Sequence, residues 1–251
     1  MVFVNGKRLL SRINELGKIG KDAEGRRTRL AASDADKQGR DLVSEWMKEA
    51  GLEVVTDRIG NIFGIWETPE NKDQAPLMIG SHIDTVINAG QYDGCLGVIS
   101  SIEVIRTLKD NGMVSARPVV AAAFTNEEGV RYSPDMMGAL VYAGGMDVEE
   151  ALDTVGTDGT ILRDELKRIG YEGTVEPGFI KPYAFVELHI EQGPVLDHEG
   201  IRIGAVEHLQ GIHWQRVTTE GAANHAGTTP TALRHDASLA AAKVIVFYRP
   251  L

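Results

Sequence analysis

The run Val119-Val120-Ala121-Ala122-Ala123-Phe124-Thr125 constrains this chain more than any other. It is apolar up to its last residue, so as a strand it offers water no face and needs cover on both sides. Upstream, Pro76-Leu77-Met78-Ile79 reads as a second buried strand, running on to Ser81. Between the two, Val98, Ile99, Ile102, Ile105 and Leu108 fall on one face of a helix over Leu96 to Leu108, closed by Asn111-Gly112. Strand, helix, strand in that order is the pattern of an α/β protein, a mixed or parallel sheet covered by helices.

The remaining segments fill in around that unit. Asn5 to Gly20 is an amphipathic helix with Leu9, Leu10, Ile13 and Leu16 on one side, and Asp36 to Ala50 is a second, stopped by Gly51. Leu52 to Thr56 and Ile62 to Trp66 are expected as strands joined by a turn at Gly60-Asn61. Gly25 to Ser33 reads as a basic, polar loop. Gly144 to Gly178 is acidic and turn-rich and reads as a surface excursion with short helical pieces at Val148 to Val155 and Thr160 to Ile169. Strands are expected at Ala184 to Ile190, Ile201 to Val206 and Ile212 to Thr219, a helical turn from Pro194, and a helix capped by Asp236 that runs to about Phe247.

Composition narrows the function classes. With 251 residues and 43% hydrophobic content the chain can bury a sizeable core, in one large domain or two smaller ones. A net charge of −10 argues against a nucleic-acid partner, which needs a basic face. No apolar run approaches the ~18 residues of a membrane span, and Met1 to Arg8 has no signal-peptide core. Cys95 is the only cysteine, which excludes an internal disulfide and fits a reducing, cytoplasmic setting. At a helix start it reads as a small buried residue rather than a nucleophile.

Candidate chemistry gathers at the strand ends, where open α/β sheets bind ligands. His82 and Asp93 follow the first buried strand, Glu127-Glu128 follow the second, and His189 lies in a third. Imidazole with carboxylate suits zinc, manganese or cobalt. Taken alone, His82 and Asp93 fit an ordinary loop as well as a metal site, and Glu127-Glu128 fit a solvated acidic turn better. Three strand ends together point to a metallohydrolase. Asp84, two residues from His82, is placed to accept the proton on the other ring nitrogen. Asp93 has two oxygens with which to bridge two ions, and paired glutamates allow one to ligate while the other moves protons.

Five stretches then resemble a known family: Gly80-Ser81-His82-Ile83-Asp84-Thr85-Val86, Tyr92-Asp93-Gly94, Asn126-Glu127-Glu128-Gly129-Val130-Arg131-Tyr132, Glu187-Leu188-His189-Ile190-Glu191-Gln192-Gly193-Pro194 and Asn224-His225-Ala226-Gly227-Thr228-Thr229-Pro230. In order and over nearly the whole chain, they are similar to the signatures of the amidase, hydantoinase/carbamoylase family. That family belongs to the superfamily of dinuclear zinc aminoacylases and carboxypeptidases. Its members include N-carbamoyl-L-amino acid hydrolases, β-ureidopropionase and allantoate amidohydrolase. The resemblance implies a zinc-exopeptidase-like catalytic domain with a mixed, mostly parallel sheet over residues 1–210, and over 211–251 the start of a smaller α+β lid and dimerisation domain.

The same resemblance implies two divalent ions per complete subunit, zinc first, with manganese, cobalt or nickel as alternatives. His82 and His189 would be terminal ligands, Asp93 the bridge and Glu128 a ligand of the second ion. Glu127 would be the proton-shuttling base and Asp84 would orient His82. Gln192 would lie near the substrate. His225 would stabilise the oxyanion from the lid of a partner subunit in a homodimer. The substrate would be an N-carbamoyl amino acid, with allantoate or an acyl-amino acid or dipeptide as alternatives. Family members continue beyond the equivalent of Leu251 with a last histidine ligand and an Asn and Arg that hold the substrate, so the resemblance implies a C-terminally truncated chain. A metal-binding remnant without turnover is the non-enzymatic alternative.

Overall fold

A computed structural model describes residues 2–211 and 215–248. The chain divides into two compact units, Met1–Pro194 and Val195–Leu251. The first unit holds α1 (Gly6–Leu16), α2 (Asp34–Glu49), β1 (Glu53–Thr56), β2 (Ile62–Trp66), β3 (Leu77–His82), α3 (Cys95–Asp110), β4 (Val119–Phe124), α4 (Met137–Tyr142), α5 (Val148–Leu152), α6 (Leu162–Ile169) and β5 (Ala184–Val186). The five strands form one sheet in the order β1-β2-β4-β3-β5. β3 is parallel to β4 and β5, while β2 runs antiparallel to both β1 and β4. Four strands therefore share one direction and β2 alone is reversed, a mixed and mostly parallel sheet.

β4 lies at the centre, and all six of its residues are buried. Val119, Ala121 and Ala123 face a core built with Leu16, Val43, Met47, Ile99, Ile102 and Ile105 of α1, α2 and α3. Val120, Ala122 and Phe124 face the opposite core with Phe63 and Met78, against which Tyr142 and Ile180 pack. The uninterrupted apolar run is thus the sum of two alternating faces, each with its own cover. Ser33 starts α2 by accepting the Asp36 amide N–H, with Asp34 and Asp36 in the first turn where the helix dipole favours acid.

Two expectations are corrected. The segment 144–178 is no surface excursion: Ala151, Leu152, Leu162, Leu166 and Ile169 join Ile59, Tyr132, Met137 and Val141 in a third buried cluster. Within Gly25 to Ser33, irregular as expected, Arg27 and Arg29 are buried. The last parallel strand, β5, holds three residues, because the chain leaves the sheet after Val186 and carries Glu187 and His189 elsewhere. The short helix α4 has no counterpart among the elements expected from the sequence.

The second unit contains α7 (Val195–Glu199), a 3₁₀ turn at Thr231–Leu233 and α8 (Ala237–Tyr248). Asp236 caps α8, its Oδ1 accepting the amide N–H groups of Ser238 at 2.9 Å and Leu239 at 3.0 Å. Ile201 to Val206 and residues 215–219 form no strand. Residues 212–214, where the last expected strand begins, lie outside the described residues. No helix among the described residues is long and apolar enough to cross a membrane.

Candidate metal centre

β3 and β4 run side by side and end together, pairing His82 with Phe124. Asp84 ties the loops that leave the two strands. The Asp84 carboxylate accepts the main-chain N–H of Glu127 through Oδ1 and of Glu128 through Oδ2, both at 3.2 Å. The turn before the glutamates runs through Asn126 at φ 53°, whose side-chain amide donates to the carbonyls of Tyr132 and Pro134. The Glu128 carboxylate accepts the amide N–H of Val86 at 3.3 Å. These bonds tie the two loops to each other.

Two groups of side chains converge at this end of the sheet. His82, Asp93 and His189 form one and His82, Glu127 and Glu128 the other, with candidate ligand atoms in each group within 4.8 Å of one another. His82, Asp93, Glu128 and His189, the residues singled out as candidate ligands, all lie in these groups, and His82 is common to both. Glu127 Oε2 lies 3.3 Å from His82 Nε2, and Asp93 Oδ1 lies 3.1 Å from His189 Nε2.

The two histidines are oriented alike. His82 Nδ1 lies 3.0 Å from the carbonyl of Asp84, and His189 Nδ1 lies 2.8 Å from the carbonyl of Ile190. Carbonyls accept only, so each Nδ1 donates to its carbonyl and each Nε2 faces the cluster, the orientation a metal ligand requires. The expected contact of the Asp84 carboxylate with His82 is not a hydrogen bond: Oδ1 stands 4.0 Å from Nδ1. Asp84 orients His82 through its backbone, and its carboxylate is used on the glutamate turn. Gly94 completes the setting at φ 61°, where a Cβ would stand 2.5 Å from the His82 ring.

The donor set fits a divalent cation. Asp93 Oδ1 is buried without a hydrogen-bond partner among the described residues. Its 3.1 Å approach to His189 Nε2 matches the spacing of two ligands on a common centre: ligands about 2 Å from a tetrahedral zinc stand roughly 3.3 Å apart. Charge points the same way. Burial, with the charges of Asp93, Asp84 and Glu127, pushes the Glu128 carboxyl up to about 7, and burial likewise raises Glu127. Burial disfavours a charged His82, but Asp84, Glu127 and Glu128 outweigh it and raise its pKa. Unneutralised carboxylates crowd here, which a cation relieves.

Gln192 sits beside this cluster at φ 53°, its Nε2 donating to Asp93 Oδ2 at 2.8 Å. His225 belongs to the second unit, where its Nδ1 accepts the amide N–H groups of Gly227 at 3.0 Å and Thr228 at 3.2 Å. Cys95 is buried as expected, and its Sγ lies 3.1 Å from Arg29 Nη2. Sequence reasoning missed Arg29. Its guanidinium, fully buried, donates to the carbonyls of Ile83 at 2.7 Å, Ile19 at 3.1 Å and Leu16 at 3.3 Å. Its main chain exchanges bonds with Thr85. An arginine in a polar, basic stretch carries no local signal of such burial.

A mixed sheet whose neighbouring strand ends present two outward-aimed imidazoles and three carboxylates defines a metallohydrolase-like centre. The chain belongs to peptidase family M20/M25/M40, whose profile matches residues 78–247. It is 41% identical over 242 residues to an N-carbamoyl-L-amino-acid amidohydrolase of Rhizobium meliloti, covering 96% of this chain and 58% of that one. It is 39% identical over 245 residues to an allantoate deiminase of Arabidopsis thaliana, covering 94% of this chain and 46% of that one. Among solved structures it matches an amidase of the hydantoinase/carbamoylase family from Burkholderia multivorans with a TM-score of 0.82 and 37% identity, over 99% of this chain and 60% of that one. The family implied by the five motifs is the one found, and the chain spans about three-fifths or less of these relatives.

Proposed function

We propose that this chain carries the catalytic core of a metal-dependent amidohydrolase that cleaves a linear, non-peptide C–N bond, with an N-carbamoyl-L-amino acid as substrate. The convergence of His82, Asp93 and His189 beside Glu127 and Glu128 is the observation that supports it most. His82, Asp93 and His189 would hold one divalent ion and Glu128 would bind a second, with Asp93 reaching across to it. Zinc fits the donors best, and manganese, cobalt and nickel also suit them. Such ions supply Lewis-acid polarisation of the scissile carbonyl.

The chain's own residues do the rest. Glu127 takes a proton from water and returns it to the leaving nitrogen, a task for which a buried carboxyl of raised pKa is suited. Asp84 holds Glu127 in place by its main-chain N–H. Gln192 stands where a substrate next to Asp93 would meet it. His225, from residues 211–251 acting as lid and dimerisation domain, would stabilise the oxyanion in a partner subunit of a homodimer. A cytoplasmic setting accords with the single, unpaired Cys95.

Allantoate is the second substrate reading, on the strength of the Arabidopsis thaliana relative. The test uses the zinc-loaded chain and the same chain joined to the C-terminal part of the Rhizobium meliloti relative. Each is assayed for ammonia release from N-carbamoyl-L-amino acids, ureidopropionate and allantoate. Hydrolysis of a carbamoyl substrate supports the proposal, and hydrolysis of allantoate alone supports the second reading. Tight metal uptake with no turnover by the joined chain would favour a metal-binding protein that is not an enzyme.

A further inference from the structure

Two histidines on separate segments meet at one point only if those segments keep a fixed spacing. β3 and β5 pair from Leu77↔Ala184 to Ile79↔Val186, and the ladder stops there. His82 and His189 each lie three residues past that last pair, yet their rings stack 6.2 Å apart at 28°. Beyond the ladder, one side-chain bond spans the gap: Ser81 Oγ donates to Glu187 Oε1. Ser81 adjoins His82, and Glu187 precedes His189 by two residues. Below them α3 presses on both segments at Gly97, where a Cβ would stand 2.7 Å from Ser81 Cβ and 2.8 Å from the Leu188 carbonyl oxygen.

We propose that the Ser81–Glu187 hydrogen bond is a latch that sets the spacing of His82 and His189, and through it the affinity of the centre for the ion they share with Asp93. The proposal rests on reading the cluster as a metal centre. Glu187 and Ser81 are positioning residues: neither belongs to a ligand group among the described residues. A serine hydroxyl rotates to suit its acceptor, so it is suited to bridge the two segments where the ladder ends. Partners that orient ligands in this way set metal affinity by roughly 10–100-fold.

The experiment titrates zinc into the 251-residue chain by calorimetry and follows the visible spectrum of the cobalt-loaded form. Ser81→Ala removes the donor, Glu187→Met removes the acceptor, and Glu187→Gln keeps an acceptor oxygen while removing the charge. Zinc Kd should rise roughly 10–100-fold in the Ala and Met variants, with a changed cobalt spectrum, and stay near the parent value in the Gln variant. A thermal midpoint that falls while Kd and spectrum hold would mean the bond is only structural, which overturns the latch. Equal weakening in the Gln and Met variants would assign the effect to charge, which also overturns it. A parent chain that binds no zinc would overturn the metal reading itself, a result distinct from the other two.

Discussion

Asp84 Oδ2 accepts the main-chain N–H of Glu128 at 3.2 Å, while Oδ1 takes that of Glu127 at the same distance. One fully buried carboxylate thereby fixes two candidate functional residues on the neighbouring strand end. Asp84→Asn keeps the shape but turns one acceptor into an NH₂ that faces an N–H. One amide is left unsatisfied, a loss of about 1–3 kcal/mol in stability. Zinc affinity should fall roughly 10–100-fold as Glu128 shifts. Calorimetric titration and urea unfolding read the two effects, and an unchanged Kd would show that the turn holds without Asp84.

Glu127→Gln separates proton transfer from metal binding. The amide occupies the same space beside His82 but cannot take up a proton. In the chain joined to a relative's C-terminal part, metal content should persist while kcat falls roughly 10²–10⁴-fold. Steady-state kinetics with elemental analysis decide it, and near-parental turnover would remove Glu127 from the role of base.

At Gly94 both backbone and space are restrictive, with φ 61° and the His82 ring 2.5 Å from any Cβ. Gly94→Ala is expected to push the imidazole off its place while leaving the three apolar clusters intact. Metal content after dialysis against zinc should drop well below the parent's, with a circular dichroism spectrum like the parent's. Parental zinc content in the Ala variant would mean that the loop has room to move.

Asp57 makes stability depend on pH. Burial pushes its carboxyl up to about 7, against the bonds donated by Asn61. Its folded pKa thus lies above its unfolded one, so the folded chain holds the proton more tightly. The Asp57 contribution is complete below about pH 4 and is lost as pH rises through about 7, with an upper bound of about 4 kcal/mol. Urea unfolding between pH 5 and 8 should show this decline, and Asp57→Asn should flatten it. An unaltered slope in the variant would place the pH dependence elsewhere.

Arg29→Met tests the buried guanidinium. Methionine fills the volume of the stem and leaves the carbonyls of Ile19 and Ile83 without their donor, while that of Leu16 keeps the Ile19 N–H. A loss of at least about 2 kcal/mol is expected from two such groups, read from the urea midpoint. A loss under about 1 kcal/mol would mean that water takes over.

The site was legible wherever a ligand type coincided with a strand end. Taken singly, His82 with Asp93 and Glu127 with Glu128 fit ordinary loops as well or better, and it was their recurrence, with His189, at three expected strands that singled them out. Misreadings arose where the signal is not local. Leu162, Leu166 and Ile169 already stood at helical spacing, but the acidic turns around them outweighed that stripe, and the partners they bury against come from Ile59 and Tyr132. Arg29 looks like any solvent-facing arginine until three distant carbonyls surround it. Ile201 to Val206 has strand composition without a ladder partner, and Ile203 is 82% exposed. β-propensity describes how well a segment fits a sheet, and cannot supply the neighbour it needs.

The loop just before α2 is fastened by residues far down the chain. Arg131 Nη1 donates to the Ala31 carbonyl at 3.0 Å, and Arg168 Nη2 to the Ala32 carbonyl at 3.3 Å, across 136 residues of sequence. A ribosome adding about 5–20 residues per second needs on the order of 10 seconds to deliver Arg168 after Ala32 has been made. During synthesis the first helices therefore wait with this loop untied. A slowed codon between Arg131 and Arg168 would prolong that interval and expose the nascent chain to proteases and chaperones, with no change to any residue of the site.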